Sequence, residues 1–123
     1  MRKIIILFIL IQLSSCKTYT KLNMNELSQS DTIYHLDLSN RNLKTQPDLS
    51  KFTIIELNIS KNRITTFDEN KLPKGIQKLN FSHNRISKKV VFNEVRNLES
   101  VNFSNNKLES FFYPNGIIKN LNL

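Results

Sequence analysis

"IIELNISKNRI", residues 54–64, alternates apolar Leu57 and Ile59 with polar Glu56, Asn58 and Ser60, then passes through Asn62 to an apolar Ile64. The phrase returns as "IYHLDLSNRNL" at 33–43, "IQKLNFSHNRI" at 76–86, "LESVNFSNNKL" at 98–108 and, in part, "IKNLNL" at 118–123. Starts at residues 33, 54, 76, 98 and 118 lie 21, 22, 22 and 20 residues apart. Self-similarity at such a period marks a chain wound into stacked coils, each unable to hide its apolar side alone.

The spacing within a copy assigns each place a job. Places four and six alternate with polar residues at three, five and seven, the period of a strand buried on one face. Leu36/Leu38, Leu57/Ile59, Leu79/Phe81, Val101/Phe103 and Leu121/Leu123 are therefore expected to point inward. Stacked about 4.8 Å apart, five such strands form a parallel sheet roughly 19 Å long. Place nine is Asn62, Asn84 and Asn106, with Arg41 in the first copy. A buried amide there both donates and accepts, which suits it to satisfying backbone groups of its own coil and the next. Place eleven, Leu43, Ile64, Ile86 and Leu108, returns the chain to the core.

The pattern LxxLxLxxNxL over residues 33–123 resembles the leucine-rich repeat family. The resemblance implies an α/β repeat solenoid: a short arc with a parallel β-sheet on the concave face and mostly loop or short helical turns on the convex face. It also implies an asparagine ladder at place nine and ligand binding as a class of function, with no ligand named. Pro73, Gly75, Pro114 and Gly116 mark turns in the return segments. Val91, Phe92 and Val95 are expected to form about one helical turn, and Gln46 stands where an apolar residue is usual. Segment 16–32 combines a short tether with a capping helix carrying Leu22, Met24 and Leu27.

Residues 1–15 read as an export signal, with Arg2 and Lys3 ahead of the uncharged apolar run Ile4–Ile11. That run is far shorter than the roughly 20 residues that span a bilayer. It ends in "LSSC", residues 13–16, which resembles the lipobox of bacterial lipoproteins. The resemblance implies removal of residues 1–15 and a covalent lipid on Cys16, with no other cofactor. Two or three acyl chains would make the attachment persistent. Lys17 after the cysteine resembles lipoproteins passed on to the outer membrane, so the expected location is the bacterial cell envelope, tethered through lipid at the outer membrane.

The formal net charge is +8; removing Arg2 and Lys3 lowers the 18 basic side chains to 16 against 10 acidic, a net +6. Basic residues are scattered along the whole chain, the pattern of an ordinary solvated surface, and an exported chain with no basic run is not expected to bind nucleic acid. Catalysis finds little support: the two histidines occupy different repeat places, and no glycine-rich loop or HExxH motif occurs. No metal site is expected, because His35 and His83 lie two coils apart in different columns.

Function is expected on the outward strand places. Place three supplies His35, Glu56, Lys78 and Ser100, and place five supplies Asp37, Asn58, Asn80 and Asn102; these are the candidate contacts for a protein or glycan partner. Arg63, Arg85 and Lys107 at place ten form a candidate basic rim. Asn58, Asn80 and Asn102 also match the N-glycosylation sequon, but the repeat itself generates the match. The fifth copy stops at Leu123 without a polar cap, an edge expected to support self-association or to mark a truncated fragment of a longer repeat protein.

Overall fold

The computed structural model describes residues 29–123. The expected export signal, Cys16 and all but the last residues of segment 16–32 lie outside the described residues. Seven strands follow in chain order: β1 Thr32–Asp37, β2 Thr53–Asn58, β3 Lys78–Asn80, β4 Val90–Val91, β5 Ser100–Asn102, β6 Phe111–Phe112 and β7 Asn120–Asn122. They form two parallel sheets, one of five strands in the order β1-β2-β3-β5-β7 and one pairing β4 with β6. Place-four residues lie in one row, Leu36 opposite Leu57, then Leu79, Val101 and Leu121.

A solenoid of about four turns results, because each coil hands backbone groups to the next. At place six, Leu38, Ile59, Phe81 and Phe103 donate their N–H groups to the place-five carbonyls of Asn58, Asn80, Asn102 and Asn122. The same side chains point into the core and are buried, as are Leu36, Leu57, Leu79 and Val101. Four phenylalanine rings cluster in the interior; Phe81 and Phe103 stack at 5.2 Å, with Phe67 and Phe92 against them. Burial of this kind stabilises by about 1.5–3 kcal/mol per large side chain. Leu121, in register with Val101, and Leu123 are 47% and 57% exposed, with no described coil stacked beyond β7.

The return side is mostly loop and departs from the expected helical turn at Val91, Phe92 and Val95. Val90–Val91 pair in parallel with Phe111–Phe112, and the helical contribution among the described residues is one 3-10 turn, Glu69–Lys71, capped by Asp68. The α part of the expected α/β class is thus nearly absent. The physical reason is length and composition: these segments are too short to sustain a helix, and β-branched Val90 and Val91 with aromatic neighbours favour a strand.

Polar clamps between coils replace the regularity the return side lacks. Gln46, buried at the place expected to be apolar, donates to the carbonyl of Asp68 and accepts from its N–H, both at 2.9 Å. Glu69 extends its carboxylate to the next coil, where the N–H groups of Asn93, Glu94 and Val95 donate to it at 2.6–2.8 Å. From the other side, Asn115 Nδ2 donates to the carbonyls of Asn93 and Val95. One loop is therefore held by both of its neighbours.

Candidate binding face

Exact stacking of the coils converts repeat places into columns on the sheet. At place three, His35, Glu56, Lys78 and Ser100 stand in register across β1, β2, β3 and β5. Lys78 Nζ lies 2.5 Å from Glu56 Oε1, and His35 Nδ1 lies 3.4 Å from Glu56 Oε2. The Lys78 hydrogen bond holds the Glu56 carboxyl below its ordinary value of 4.5, with His35 adding to the effect and partial burial opposing it. The same contact raises the Lys78 ammonium above its ordinary 10.5. In this column His35 and Lys78, from the two flanking strands, both contact the Glu56 carboxylate between them.

Place five behaves differently. The Oδ1 atoms of Asn58, Asn80 and Asn102 accept from the N–H of Ser60, Ser82 and Ser104, two residues on in their own coil. Asp37 does the same for Ser39 in the first copy. These are local turns that bend the chain out of the strand. They occupy the acceptor of each amide and leave Nδ2 without a partner among the described residues.

The two columns border a shallow hollow of about 290 Å³ on the outer face of the sheet. His35, Glu56, Asn58, Lys78, Asn80, Ser100 and Asn102 line it, so seven of the eight candidate contacts are brought together, while Asp37 stands outside the lining. With the Glu56 carboxylate engaged by Lys78 and His35, the hollow offers mainly donors: three amide Nδ2 groups, the Ser100 hydroxyl and the Lys78 ammonium. Such a surface is complementary to ligand carbonyl, hydroxyl or carboxylate oxygens.

The exit from the sheet is built by places eight to ten. Asn62 accepts from the N–H groups of Arg41 and Leu43 and donates to the carbonyls of Leu38, Ile59 and Ser60. Asn84 accepts from Ile64 and reaches Ile59 and Phe81; Asn106 accepts from Ile86 and reaches Phe81 and Phe103. At place eight, Asn40, Lys61, His83 and Asn105 all have left-handed backbone, with φ between 54° and 57°. Asparagine and histidine tolerate that conformation better than lysine. This constraint escaped the sequence reading; the asparagines of the first and fourth copies were its only signal. His83 is exposed, with Nε2 at 3.3 Å from Asn105 Nδ2.

Arg63, Arg85 and Lys107 are exposed and stacked by their backbones, each N–H donating to the place-eleven carbonyl of the preceding coil. No carboxylate forms an ion pair with any of them among the described residues. No group of three or more His, Cys, Asp or Glu side chains able to hold a metal ion occurs among those residues. None of the helices among them is long and apolar enough to cross a membrane.

The family model described as Leucine Rich Repeat matches residues 97–121, the fourth copy and the start of the fifth. Comparison with curated proteins and with solved structures returned no match.

Proposed function

We propose that the chain is a lipid-anchored binding module of the bacterial cell envelope, which presents the donor-rich hollow on its sheet to a protein partner. The hollow carries the reading, because seven outward residues from four coils converge on it while the opposite side of the same strands is closed by core. The leucine-rich repeat match supports a protein-binding scaffold, since repeat solenoids of this class use their exposed sheet for contact rather than catalysis. The anchor rests on the "LSSC" sequence and Cys16, and on nothing further along the chain.

A photoreactive residue placed at Ser100 in intact cells tests the face. One dominant protein adduct, absent when the same residue is placed at Lys51 on the return side, is the expected result. Adducts equal from the two positions would overturn the reading, and an adduct that is carbohydrate would move the partner from protein to glycan. The anchor is tested separately by metabolic fatty-acid labelling, which is expected to disappear with Cys16→Ser.

A second reading is favoured by the outer edge of β7. Among the described residues the strand pairs only with β5, and Ile117 at 90%, Leu121 at 47% and Leu123 at 57% exposure leave an apolar rim beside it. In this reading the protein is a structural envelope component that assembles through that edge. Concentration-dependent sedimentation, abolished by Leu121→Lys, would support it; a monomer at every concentration would exclude it.

A further inference from the structure

Basic residues that are scattered in the sequence are gathered by the fold. Lys61 and Arg63, then Arg85, then Lys107 occupy places eight and ten of three successive coils, and all four are exposed. Backbone hydrogen bonds stack these places coil upon coil, Lys61 N on Ser82 O, Arg85 N on Ile64 O and Lys107 N on Ile86 O. Lys44 follows the place-eleven residue Leu43 directly, and Lys88 and Lys89 lie two and three residues after Ile86; all three are exposed and widen the patch. Glu109 is the single carboxylate on this edge. The other described acidic residues are elsewhere: Asp37 and Glu56 on the sheet, Asp31 and Glu99 where strands begin, and Asp48, Asp68, Glu69 and Glu94 on the return side. The positive excess of the described chain is thus concentrated on the edge where the coils leave the sheet.

Between the cations stand Thr65, Thr66 and Ser87, all exposed, and none of the large exposed apolar side chains is on this edge. That composition decides among anionic partners. A protein interface would be organised around buried aromatic or aliphatic anchors, and a single-stranded nucleic acid around aromatic stacking platforms; the edge has neither. It has a broad field of long, flexible cations spread over four coils. We infer that this edge is a docking surface for a bilayer bearing anionic lipid headgroups, held by charge alone without insertion. The assignment is independent of the sheet face, which stays open to a partner while the domain lies on its edge.

The test uses the full chain carrying Cys16→Ser, purified from the producing cells, and compares its partition to vesicles of phosphatidylglycerol mixed with phosphatidylcholine and to vesicles of phosphatidylcholine alone. The ratio of the two isolates the electrostatic part from any apolar attachment. Basic residues near an anionic surface contribute about 1 kcal/mol each, so replacing Lys61, Arg63, Arg85 and Lys107 by Gln is expected to lower the ratio on the order of a thousandfold. A control with the same loss of charge, Lys51, Lys74, Arg96 and Lys119 to Gln, is expected to leave most of the preference. All eight positions are exposed, and urea melts verify that both variants fold. Molar salt is expected to abolish the preference. Equal losses in the two variants would overturn the assignment by making net charge sufficient. Tight binding to soluble polyglutamate with no vesicle preference would overturn it in favour of an acidic polymer.

Discussion

Two columns of asparagine run through the same coils, four residues apart, with different consequences for the fold. Asn62, Asn84 and Asn106 use both ends of the amide to join adjacent coils, and Asn62 and Asn84 are buried. Asn58, Asn80 and Asn102 use only the oxygen, on a backbone N–H two residues away, and line the hollow on the outer face of the sheet. The residue type is the same; what differs is whether the amide stands inside the bend of the chain or on the outer face of the sheet. The inner column holds coils together, and the outer column shapes each coil and remains available to a ligand.

Replacing asparagine by aspartate separates the two roles, because it keeps the acceptor and removes the donor. Asn84→Asp leaves the carbonyls of Ile59 and Phe81 facing a buried carboxylate, and is expected to cost more than about 3 kcal/mol or to unfold the chain. Asn84→Ala, which leaves those carbonyls and the Ile64 N–H unmet, is expected to cost about 3 kcal/mol. Urea denaturation followed by circular dichroism measures both. If either variant matched the wild type, the inner column would not be the coil-to-coil tie described here.

At the outer column the order reverses. Asn80→Ala removes the acceptor for Ser82 N–H and is expected to cost about 1 kcal/mol, whereas Asn80→Asp is expected to stay within about 0.5 kcal/mol of wild type. Asp37 already performs this job in the first copy, accepting from Ser39 N–H at 2.8 Å. Asn80→Asp nevertheless removes a donor from the hollow, so partner capture from Ser100 is expected to fall while stability holds. Loss of stability without loss of capture would reverse the roles assigned to the columns.

The sheet was legible in the sequence because alternation and a near-constant period fix both register and inward face at Leu36, Leu57, Leu79 and Val101. At Leu121 and Leu123 the period states only which way a residue points; burial also requires a neighbour, and these two are 47% and 57% exposed. The return side was obscure for the opposite reason. Gln46 meets Asp68, and Glu69 meets the N–H groups of residues 93–95, through side chains of different type in each coil, so no repeating pattern announces them. Most of the hollow followed from register alone. So did the centre of the basic edge, Arg63, Arg85 and Lys107 at place ten; Lys61, Lys44, Lys88 and Lys89, which widen it, stand at other repeat places, so no single column announced them.

Place eight sharpens the comparison, since it adjoins the inner column yet faces solvent. Lys61 there has φ 54°, a conformation that costs a non-glycine residue about 1–2 kcal/mol and that asparagine tolerates better. Lys61→Asn, matching Asn40 and Asn105 of other copies, is expected to gain about 0.5 kcal/mol. Lys61→Val, with its branched β-carbon, is expected to lose more than about 1 kcal/mol. Thermal midpoints of the two variants give the sign directly, and a neutral Lys61→Val would mean that the exit bend is set by the asparagine ladder alone.

The smallest effect belongs to place three, where side chains reach between coils that the strand backbones already pair. The Glu56 carboxyl is held below 4.5 chiefly by the Lys78 hydrogen bond, so its contribution is complete above 4.5 and is lost as pH falls through the lowered folded value. Lys78 is raised above 10.5, so its contribution is complete below 10.5 and is lost as pH rises through the raised folded value. Both are therefore fully present at neutral pH. Glu56→Gln is expected to lower the urea midpoint slightly there, because exposed ion pairs are weak and screened by salt. The difference from wild type is expected to close below pH 4.5, where the native carboxylate protonates, and again above pH 10.5. A difference unchanged into acid would locate the loss in packing around β2 and separate place three from the electrostatic column that His35, Glu56 and Lys78 form.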